Sequence, residues 1–196
     1  MDFLSLEKGI TLVYGVPASG KTTFCLQLAY DFTLHHKKVL MVSCEPLYLE
    51  RFEQLAGTHF KECLSYFLAL RVQTFQEQVQ KVLELEHLKN ISLILIDGFT
   101  TFYRKELTGQ VKEINAHMVL MLRSLKHLSE KIPVILTSQV YQKLEEDAVE
   151  AVGGTLIKKF CATIIELKVN PRRLLMRKPS SLLKPFALKD QGFYFS

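Results

Sequence analysis

Short apolar runs alternate with longer amphipathic segments along the first two thirds of the chain. Five runs are rich in Leu and β-branched residues and mostly lack polar alternation, as is typical of strands buried on both faces of a sheet. These runs are Ile10–Tyr14, Val39–Ser43, Phe67–Val72, Ile91–Ile96 and Pro133–Thr137. The pattern predicts that all five are central parallel strands.

Three of the segments between these runs have helical patterns: Lys21–His35, Phe75–His87 and Lys112–Lys131. In the last of them, apolar residues from Ile114 to Leu128 recur at spacings of three and four, the period of one helix face. Strands that alternate with helices indicate βαβ crossovers. We therefore predict an α/β fold with a mostly parallel central sheet and helices on both faces.

The pattern changes after Gly153-Gly154, where short strand-like runs follow one another without intervening helices. This change predicts a C-terminal extension of two or three short antiparallel strands at the sheet edge. The runs are Thr163–Val169, Arg173–Arg177 and Pro185–Phe195. No repeat or linker divides the 196 residues, and no small helical domain precedes the first strand. We expect one domain over residues 1–196.

Composition excludes several classes of protein. Hydrophobic residues make up 48% and charged residues 23%, which is typical of a packed globular core. No apolar run approaches the roughly 18 residues of a membrane helix, and the N-terminus lacks the pattern of a secretory signal, so we expect a cytoplasmic protein. The cysteines and histidines lack metal-ligand spacing, and Cys25 and Cys44 lie in apolar runs that predict buried thiols.

Positive charge is concentrated near the C-terminus. The chain carries a formal +5, but residues 157–190 contain nine Lys or Arg against two acids and so carry +7. The rest of the chain is therefore −2. This stretch is a candidate surface for polyanions, and a solvated face explains the charge equally well.

The sequence GVPASGKT, from Gly15 to Thr22, matches the phosphate-binding pattern GxxxxGK[ST] and directly joins the first strand to the first helix. Glycines let successive backbone N–H groups face the phosphates, and the helix N-terminus adds its positive dipole end. Lys21 then reaches the β- and γ-phosphates, and the Thr22 hydroxyl is a Mg²⁺ ligand. The predicted nucleotide-binding residues are Gly15, Val16, Pro17, Ala18, Ser19, Gly20, Lys21, Thr22 and Thr23.

Three polar residues end other predicted strands. Asp97 follows the fourth run and is a candidate second Mg²⁺ group, although Asp before Gly is also a common turn former. Glu45 follows the second run and is a candidate base for the attacking water, with a helix cap before Pro46 as the alternative. Gln139 follows the fifth run, where its amide could contact a γ-phosphate or that water.

Taken together, these residues resemble the RecA/RadA recombinase family, and within it the short archaeal RadB paralogues. The resemblance covers nearly the whole chain. It is carried by GVPASGKTTFCLQLA, by the Glu45 strand with Leu49-Glu50-Arg51, and by LILIDGFTTFYR, PVILTSQVY and VGGTLIKKFCATIIEL. The absence of an amino-terminal helical domain points to the short paralogues.

The resemblance implies roles for several of these residues. Glu45 would activate the water, and Gln139 would link nucleotide state to a DNA-facing loop. Tyr103 and Arg104 would begin a first DNA loop, and residues 142–152 would form a second. Residues 142–152 carry four acidic residues against Lys143, and the first loop reads Gly109-Gln110-Val111 where full recombinases have a second arginine.

The basic C-terminal stretch has two alternative readings. Arg177 and Lys178 stand where related ATPases place basic residues that contact a neighbour's nucleotide. Arg172 and Arg173 follow the Asn170-Pro171 turn, and we favour them as contacts to DNA phosphates.

The expected function is that of a RecA-like ATPase that binds ATP with Mg²⁺, hydrolyses it slowly, and acts as an accessory factor in homologous recombination and DNA repair. Its expected partners are single-stranded or branched DNA, the main RadA-type recombinase or a junction-processing enzyme, and a second copy of itself. Three alternatives stay open. They are a KaiC-like signalling ATPase without DNA binding, a small-molecule P-loop kinase, and an adaptor that binds nucleotide without significant hydrolysis.

Overall fold

A computed structural model describes residues 8–47, 49–107, 111–142 and 149–195. The strands are β1 Ile10–Gly15, β2 Val39–Ser43, β3 Phe67–Arg71, β4 Leu93–Asp97, β5 Val134–Ser138, β6 Val140–Gln142, β7 Val149–Ala151, β8 Cys161–Val169, β9 Arg172–Lys178, β10 Leu182–Lys189 and β11 Gly192–Phe195. The α-helices are α1 Lys21–Thr33, α2 Leu49–Ala56, α3 Phe60–Leu64, α4 Phe75–Glu84, α5 Thr101–Glu106, α6 Val111–Leu128 and α7 Gly154–Lys158. Short 3₁₀ turns span Gly57–His59 and Leu85–His87.

Nine of the strands form one sheet in the order β11-β10-β9-β8-β1-β5-β4-β2-β3. The block from β8 to β3 is parallel throughout, and β9, β10 and β11 continue it as an antiparallel extension. Strands β6 and β7 form a separate two-stranded antiparallel ribbon. The predicted α/β fold, with its mostly parallel sheet and C-terminal antiparallel extension, is confirmed.

Each face of the sheet has its own hydrophobic core. Helices α4, α5 and α6 pack on one face through residues such as Phe75, Phe102 and Met118. Helices α1, α2 and α3 pack on the other through Phe24 and Phe52. Because β1, β2, β4 and β5 are covered on both sides, their residues are buried without alternation. Among the described residues, no helix is long and apolar enough to cross a membrane.

The third apolar run is not a central strand, so that prediction is wrong. It forms β3, which is the edge of the sheet next to β2, and its middle residues are exposed or half-buried. Leu68, for example, is 48% exposed. The sequence FLALR is apolar enough for a buried strand, but an edge strand has only one neighbour and less cover. An apolar run alone does not distinguish the two positions.

The C-terminal runs also differ in detail from the prediction. The first of them becomes β8, which pairs in parallel with β1 and antiparallel with β9, so the change of direction occurs at β9. The last run divides into β10 and β11, a hairpin with its turn at Asp190-Gln191.

The expectation of buried thiols at Cys25 and Cys44 is confirmed, and burial raises the pKa of Cys44 to about 12.

The β10–β11 hairpin is fastened to the first two helices. The Arg51 guanidinium of α2 donates to the carbonyl oxygens of Lys189 and Asp190 at 2.7 and 3.0 Å. Gly192 has φ +110°, and a Cβ at this position would lie 1.9 Å from Gln27 Oε1. A side chain at position 192 would therefore displace the side chains of Gln27 on α1 and Leu55 on α2.

We expect Gly192→Ala to destabilise the protein more than Gly57→Ala. Both glycines have positive φ, which costs Ala about 1–2 kcal/mol, but a Cβ at Gly57 meets nothing within 4 Å. Overpacking adds about 1–3 kcal/mol at Gly192 alone. Urea unfolding followed by circular dichroism measures both variants. Equal losses in the two variants would contradict the close packing of the hairpin on α1.

Candidate functional site

Polar groups from four neighbouring strands meet at the carboxyl edge of the sheet. The loop after β1, Glu45 after β2, Asp97 at the end of β4 and Gln139 after β5 surround a cavity of about 330 Å³. Parallel strands place all their carboxyl ends at one edge, where α/β proteins commonly bind ligands. The cavity is lined by Pro17, Ala18, Gly20, Lys21, Thr22, Thr23, Glu45, Asp97, Gly98, Thr137, Gln139 and Leu188.

The loop from Gly15 to Gly20 ends at a helix N-terminus that lacks a side-chain cap. Helix α1 begins at Lys21, and Gly20 precedes it with φ 102° in the left-handed region. No acidic residue occupies the first turn. Uncapped N–H groups and the positive end of the helix dipole favour a bound anion. The described residues therefore fit a phosphate group.

Ala18 also adopts a left-handed conformation, with φ 59°. A non-glycine residue rarely adopts this conformation, which costs roughly 1–2 kcal/mol. Strain of this kind is concentrated at functional sites. Nothing in the sequence indicated it, because Ala lies at a variable position of the loop pattern.

The Lys21 amine lies within the loop that it follows. It donates to the carbonyl oxygens of Gly15 and Val16 at 2.9 and 3.0 Å. Burial lowers the pKa of Lys21, and the negative charges of Asp97 and Glu45 oppose this effect. The amine is thus held at the edge of the cavity, beside the position that a phosphate chain would occupy.

Asp97 is buried and held by two threonine hydroxyls. Its Oδ2 accepts from Thr22 Oγ1 at 2.8 Å, and its Oδ1 accepts from Thr137 Oγ1 at 2.7 Å. Burial raises the pKa of the Asp97 carboxyl, whereas these hydrogen bonds act in the opposite direction. The Gly98 N–H donates to the Thr137 hydroxyl, so that oxygen bridges the last residue of β4 and the residue after it.

A hydroxyl and a carboxylate in contact are a fitting pair of groups for Mg²⁺. This ion usually takes one or two protein oxygens and fills its other positions with water and phosphate oxygens. Among the described residues, no cluster of three or more His, Cys, Asp or Glu could hold a metal ion by itself. Thr22 and Asp97 therefore suit a metal that binds together with a phosphate group.

Glu45 and Gln139 are brought together across the cavity. Glu45 Oε1 accepts from Gln139 Nε2 at 3.1 Å and from Thr101 Oγ1 at 3.2 Å. Thr101 is the first residue of α5 and was not singled out in the sequence. Two neutral donors therefore orient the carboxylate beside the phosphate-binding loop.

Three further residues at this site escaped the sequence analysis. Thr137 was treated only as the end of a strand, although the β4–β5 register places it beside Asp97. Leu188 of β10 lines the cavity, and Phe193 packs with it against Gly20. No motif signals such contacts, because they depend on how the C-terminal hairpin folds back over α1.

Tyr103, which the resemblance places at the start of a first DNA loop, lies within a helix. Tyr103 is buried within α5, and its hydroxyl donates to Asn115 Oδ1 at 2.7 Å. Its aromatic ring packs in the core between α4 and α6, and the ring is therefore covered by other side chains. Arg104 is exposed on the same helix. Residues 109 and 110 lie outside the described residues, and Val111 is the first residue of α6.

The segment 142–152 is partly described. Its ends pair as β6 and β7, and residues 143–148 lie outside the described residues. Glu150 on β7 forms an ion pair with Lys158 of α7. The Val152 N–H donates to the Gln139 carbonyl oxygen at 2.9 Å. The base of this segment is therefore tied directly to the residue that contacts Glu45.

The arginines of β9 do not share one exposed turn, which corrects our expectation for Arg172. Its side chain is half-buried and donates to the Ala18 carbonyl oxygen at 3.3 Å, so it faces the phosphate-binding loop. Arg173 is exposed on the opposite face of the strand. Successive strand residues alternate between faces, and this separates the two side chains.

Arg177 and Lys178 are both engaged within their own chain. Arg177 donates to Glu166 Oε2 at 2.6 and 3.1 Å, and the Lys178 amine donates to the Cys161 carbonyl oxygen. Glu166 is buried, so removing Arg177 from it would leave a buried carboxylate without its strongest partner. A contact from Arg177 to a neighbouring chain would have to replace that interaction.

Comparison with known proteins places this site in a family. The model of the ATPase family associated with various cellular activities (AAA) matches residues 11–155. The chain is 33% identical to the DNA repair and recombination protein RadB of Methanosphaera stadtmanae, over 83% of this chain and 74% of the relative. It is 31% identical to RadB of Methanoculleus marisnigri, over 95% of this chain and 88% of that protein.

A solved structure agrees with these relatives. The crystal structure of the RadB recombinase superposes with a TM-score of 0.78 at 28% sequence identity, covering 95% of this chain and 90% of that one. Sequence, fold and the phosphate-binding loop agree, and the chain belongs to the RadB family of RecA-like P-loop ATPases.

Proposed function

We propose that the chain binds ATP with Mg²⁺, hydrolyses it slowly, and acts with DNA as an accessory factor in homologous recombination and DNA repair. The relatives are named DNA repair and recombination proteins. The observation that carries the proposal is the convergence of Lys21, the Thr22–Asp97 pair and the Glu45–Gln139 pair around one cavity. Each group matches one requirement of phosphoryl transfer to water.

The phosphate-binding loop and Lys21 bind the nucleotide and neutralise the charge of its phosphates. The first-turn N–H groups of α1 face the phosphates, and Lys21 exchanges its two carbonyl contacts for phosphate oxygens. Thr22 and Asp97 would hold Mg²⁺, which supplies charge neutralisation at the β- and γ-phosphates. The Thr137 hydroxyl keeps the Asp97 carboxylate in position.

Glu45 activates the water molecule that attacks the phosphate. Its carboxylate accepts two hydrogen bonds at Oε1, which leaves Oε2 free of any hydrogen bond among those described here. A positioned carboxylate can orient a water molecule and accept its proton as the oxygen attacks phosphorus. Gln139 donates to that carboxylate and lines the same cavity.

Gln139 also connects the nucleotide site to the 142–152 segment, the expected second DNA loop. Gln139 immediately precedes β6, and its carbonyl oxygen accepts from Val152 at the end of the 142–152 segment. A change in its amide contact with Glu45 would therefore reach both ends of that segment. Arg104 and Arg173 are our candidates for DNA phosphate contacts, because both side chains are exposed.

We expect Glu45→Gln to retain ATP binding and to lower turnover by about 10²-fold or more, because the amide keeps the shape but loses the charge that accepts a proton. Isothermal titration calorimetry and a phosphate-release assay measure the two quantities. Lys21→Ala, in contrast, should lose ATP binding itself. Glu53→Gln, an exposed glutamate on α2, is the matched control. Unchanged turnover in Glu45→Gln would show that Glu45 does not activate the attacking water.

Asp97→Asn tests the metal pair through stability as well as binding. Burial raises the folded-state pKa of Asp97 above its unfolded value of about 3.9, so stability falls as pH rises through the interval between the two values. We expect the amide to remove this pH dependence of stability, because it does not titrate. Affinity for ATP with Mg²⁺ should fall.

Urea unfolding at acidic and neutral pH, together with calorimetry, measures these effects. Asp190→Asn changes an exposed carboxylate and is the control. Stability that varies with pH as it does in the unmodified chain, or an unchanged Mg²⁺ dependence of ATP binding, would contradict the assignment.

A further inference from the structure

Arg172 contacts the backbone of the phosphate-binding loop from a distant segment of the chain. It is the first residue of β9, and its Nη1 donates to the carbonyl oxygens of Ala18 and Ser19 at 3.3 and 3.5 Å. Among the described residues, no carboxylate forms an ion pair with Arg172. A charged donor that binds two consecutive carbonyl groups fixes the direction of both. The guanidinium is therefore committed to the loop backbone.

The contact lies at the strained part of the loop. Ala18 has φ 59°, and Gly20 two residues later has φ 102°, so both adopt left-handed conformations. A residue other than glycine keeps such a conformation only where its surroundings enforce it. Arg172 binds the carbonyl group of Ala18 itself and that of the next residue. Its contacts therefore stabilise the conformation that the loop would otherwise leave.

Lys21 cannot hold the loop and bind phosphate at the same time. Its amine donates to the carbonyl oxygens of Gly15 and Val16, at the start of the loop. Under the proposed function, it exchanges these two contacts for phosphate oxygens. The residues that line the cavity do not include Arg172, so its contacts need no exchange. Arg172 is thus able to support the loop both before and after a nucleotide binds.

The inner face of the C-terminal extension brings Arg172 to the loop. Side chains two residues apart share one face of a strand, and Leu174 is fully buried in the core on the α1 side. Leu188 of β10 contacts the same loop, since its Cδ1 would lie 2.9 Å from a Cβ at Gly20. The β9–β10 register places Leu174 and Leu188 on one face. The extension therefore contacts the loop both at its strained part and at its end.

We propose that Arg172 is a positioning residue of the nucleotide site, which holds the phosphate-binding loop in its anion-binding conformation through the carbonyl oxygens of Ala18 and Ser19. The proposal rests on the proposed function, because it takes this loop to bind the phosphates of a nucleotide. A ligand binds more tightly when a larger fraction of the molecules is already in the binding conformation. The C-terminal extension, which contains no phosphate-binding motif, is then part of the nucleotide site.

Hydrogen exchange followed by mass spectrometry measures the loop conformation in the nucleotide-free chain. In Arg172→Ala, protected loop amides such as that of Ser19, which donates to the Val16 carbonyl oxygen, should exchange roughly threefold to tenfold faster. This range corresponds to one hydrogen bond at a half-buried position. The amides of β1 should exchange as in the unmodified chain, which shows that the variant is folded. Unchanged exchange of the loop in Arg172→Ala would overturn the proposal.

Two further variants separate the hydrogen bonds from packing and from charge. Arg172→Met keeps an apolar stem but lacks the donors, and it should match Arg172→Ala. Lys168→Ala removes one positive charge from the opposite face of the sheet, because Lys168 precedes Val169, the β8 partner of Arg172. It should leave loop exchange unchanged. A loop that behaves normally in Arg172→Met, or one that loosens equally in Lys168→Ala, would overturn the proposal.

Calorimetric titration with ATP and with inorganic triphosphate, each with Mg²⁺, measures the effect on binding. Both affinities should fall by the same factor of roughly three to ten in Arg172→Ala, because the loop contacts the phosphates that the two ligands share. A loss of ATP affinity alone would place Arg172 at the nucleoside and would overturn the proposal. In turnover assays KM should rise by this factor with kcat nearly unchanged, because bound phosphates order the loop themselves.

Arg172→Lys keeps a charged donor on a long side chain and should restore both loop protection and affinity to within about twofold of the unmodified chain. Restored affinity without restored protection would show that the charge acts directly on the phosphates, and this too would overturn the proposal. If the unmodified chain bound neither ATP nor triphosphate, the proposed function would fail. The exchange measurement uses no nucleotide, so it would still decide whether Arg172 holds the loop.

Discussion

Parallel pairing of β1, β5, β4 and β2 is the constraint on which the site depends. In this order the ends of four strands meet at one edge, and the register fixes which side chains become neighbours. Asp97 and Thr137 follow aligned positions on β4 and β5, and Glu45 follows β2. A slip of one residue in any of these pairings would turn the side chains to the opposite face. The two hydrophobic cores hold the register.

The same arrangement buries the charged side chains of Asp97 and Lys21, and burial disfavours their charged forms. Burial raises the pKa of Asp97 and lowers that of Lys21, so both groups are less favourable in their charged forms than they are in water. Two threonine hydroxyls and two loop carbonyls compensate in part. A phosphate group with a divalent cation would satisfy both charges more completely. The nucleotide-free site is thus prepared for that ligand at some cost in stability.

Much of the fold could be predicted from the sequence because local signals and tertiary contacts agree there. The bounds of β2 are as predicted, α1 begins where the phosphate-binding motif requires, and the antiparallel extension lies after the paired glycines. The edge position of β3 could not be predicted, because FLALR has the composition of a buried strand. Only the strand order reveals that one side of it has no neighbour.

The site was predictable where a motif or a strand end marks it, as at Lys21, Asp97 and Glu45. Residues that reach it from distant segments carry no local signal. Leu188 lines the cavity because the hairpin folds over α1, and Arg172 faces the phosphate-binding loop because it lies on the inner side of β9. The burial of Tyr103 could not be predicted, because a family resemblance transfers a sequence position but not its burial.

The central claim is that this cavity hydrolyses ATP in a manner linked to DNA. The most direct measurement is ATP turnover by the unmodified chain, with and without a single-stranded oligonucleotide, at about 0.05 M and about 0.2 M salt. The account predicts slow turnover without DNA and faster turnover with it at the lower salt, and this gain should diminish at the higher salt as phosphate contacts weaken. Tight ATP binding with no turnover under any of the four conditions would contradict it and assign the cavity to a nucleotide-binding adaptor.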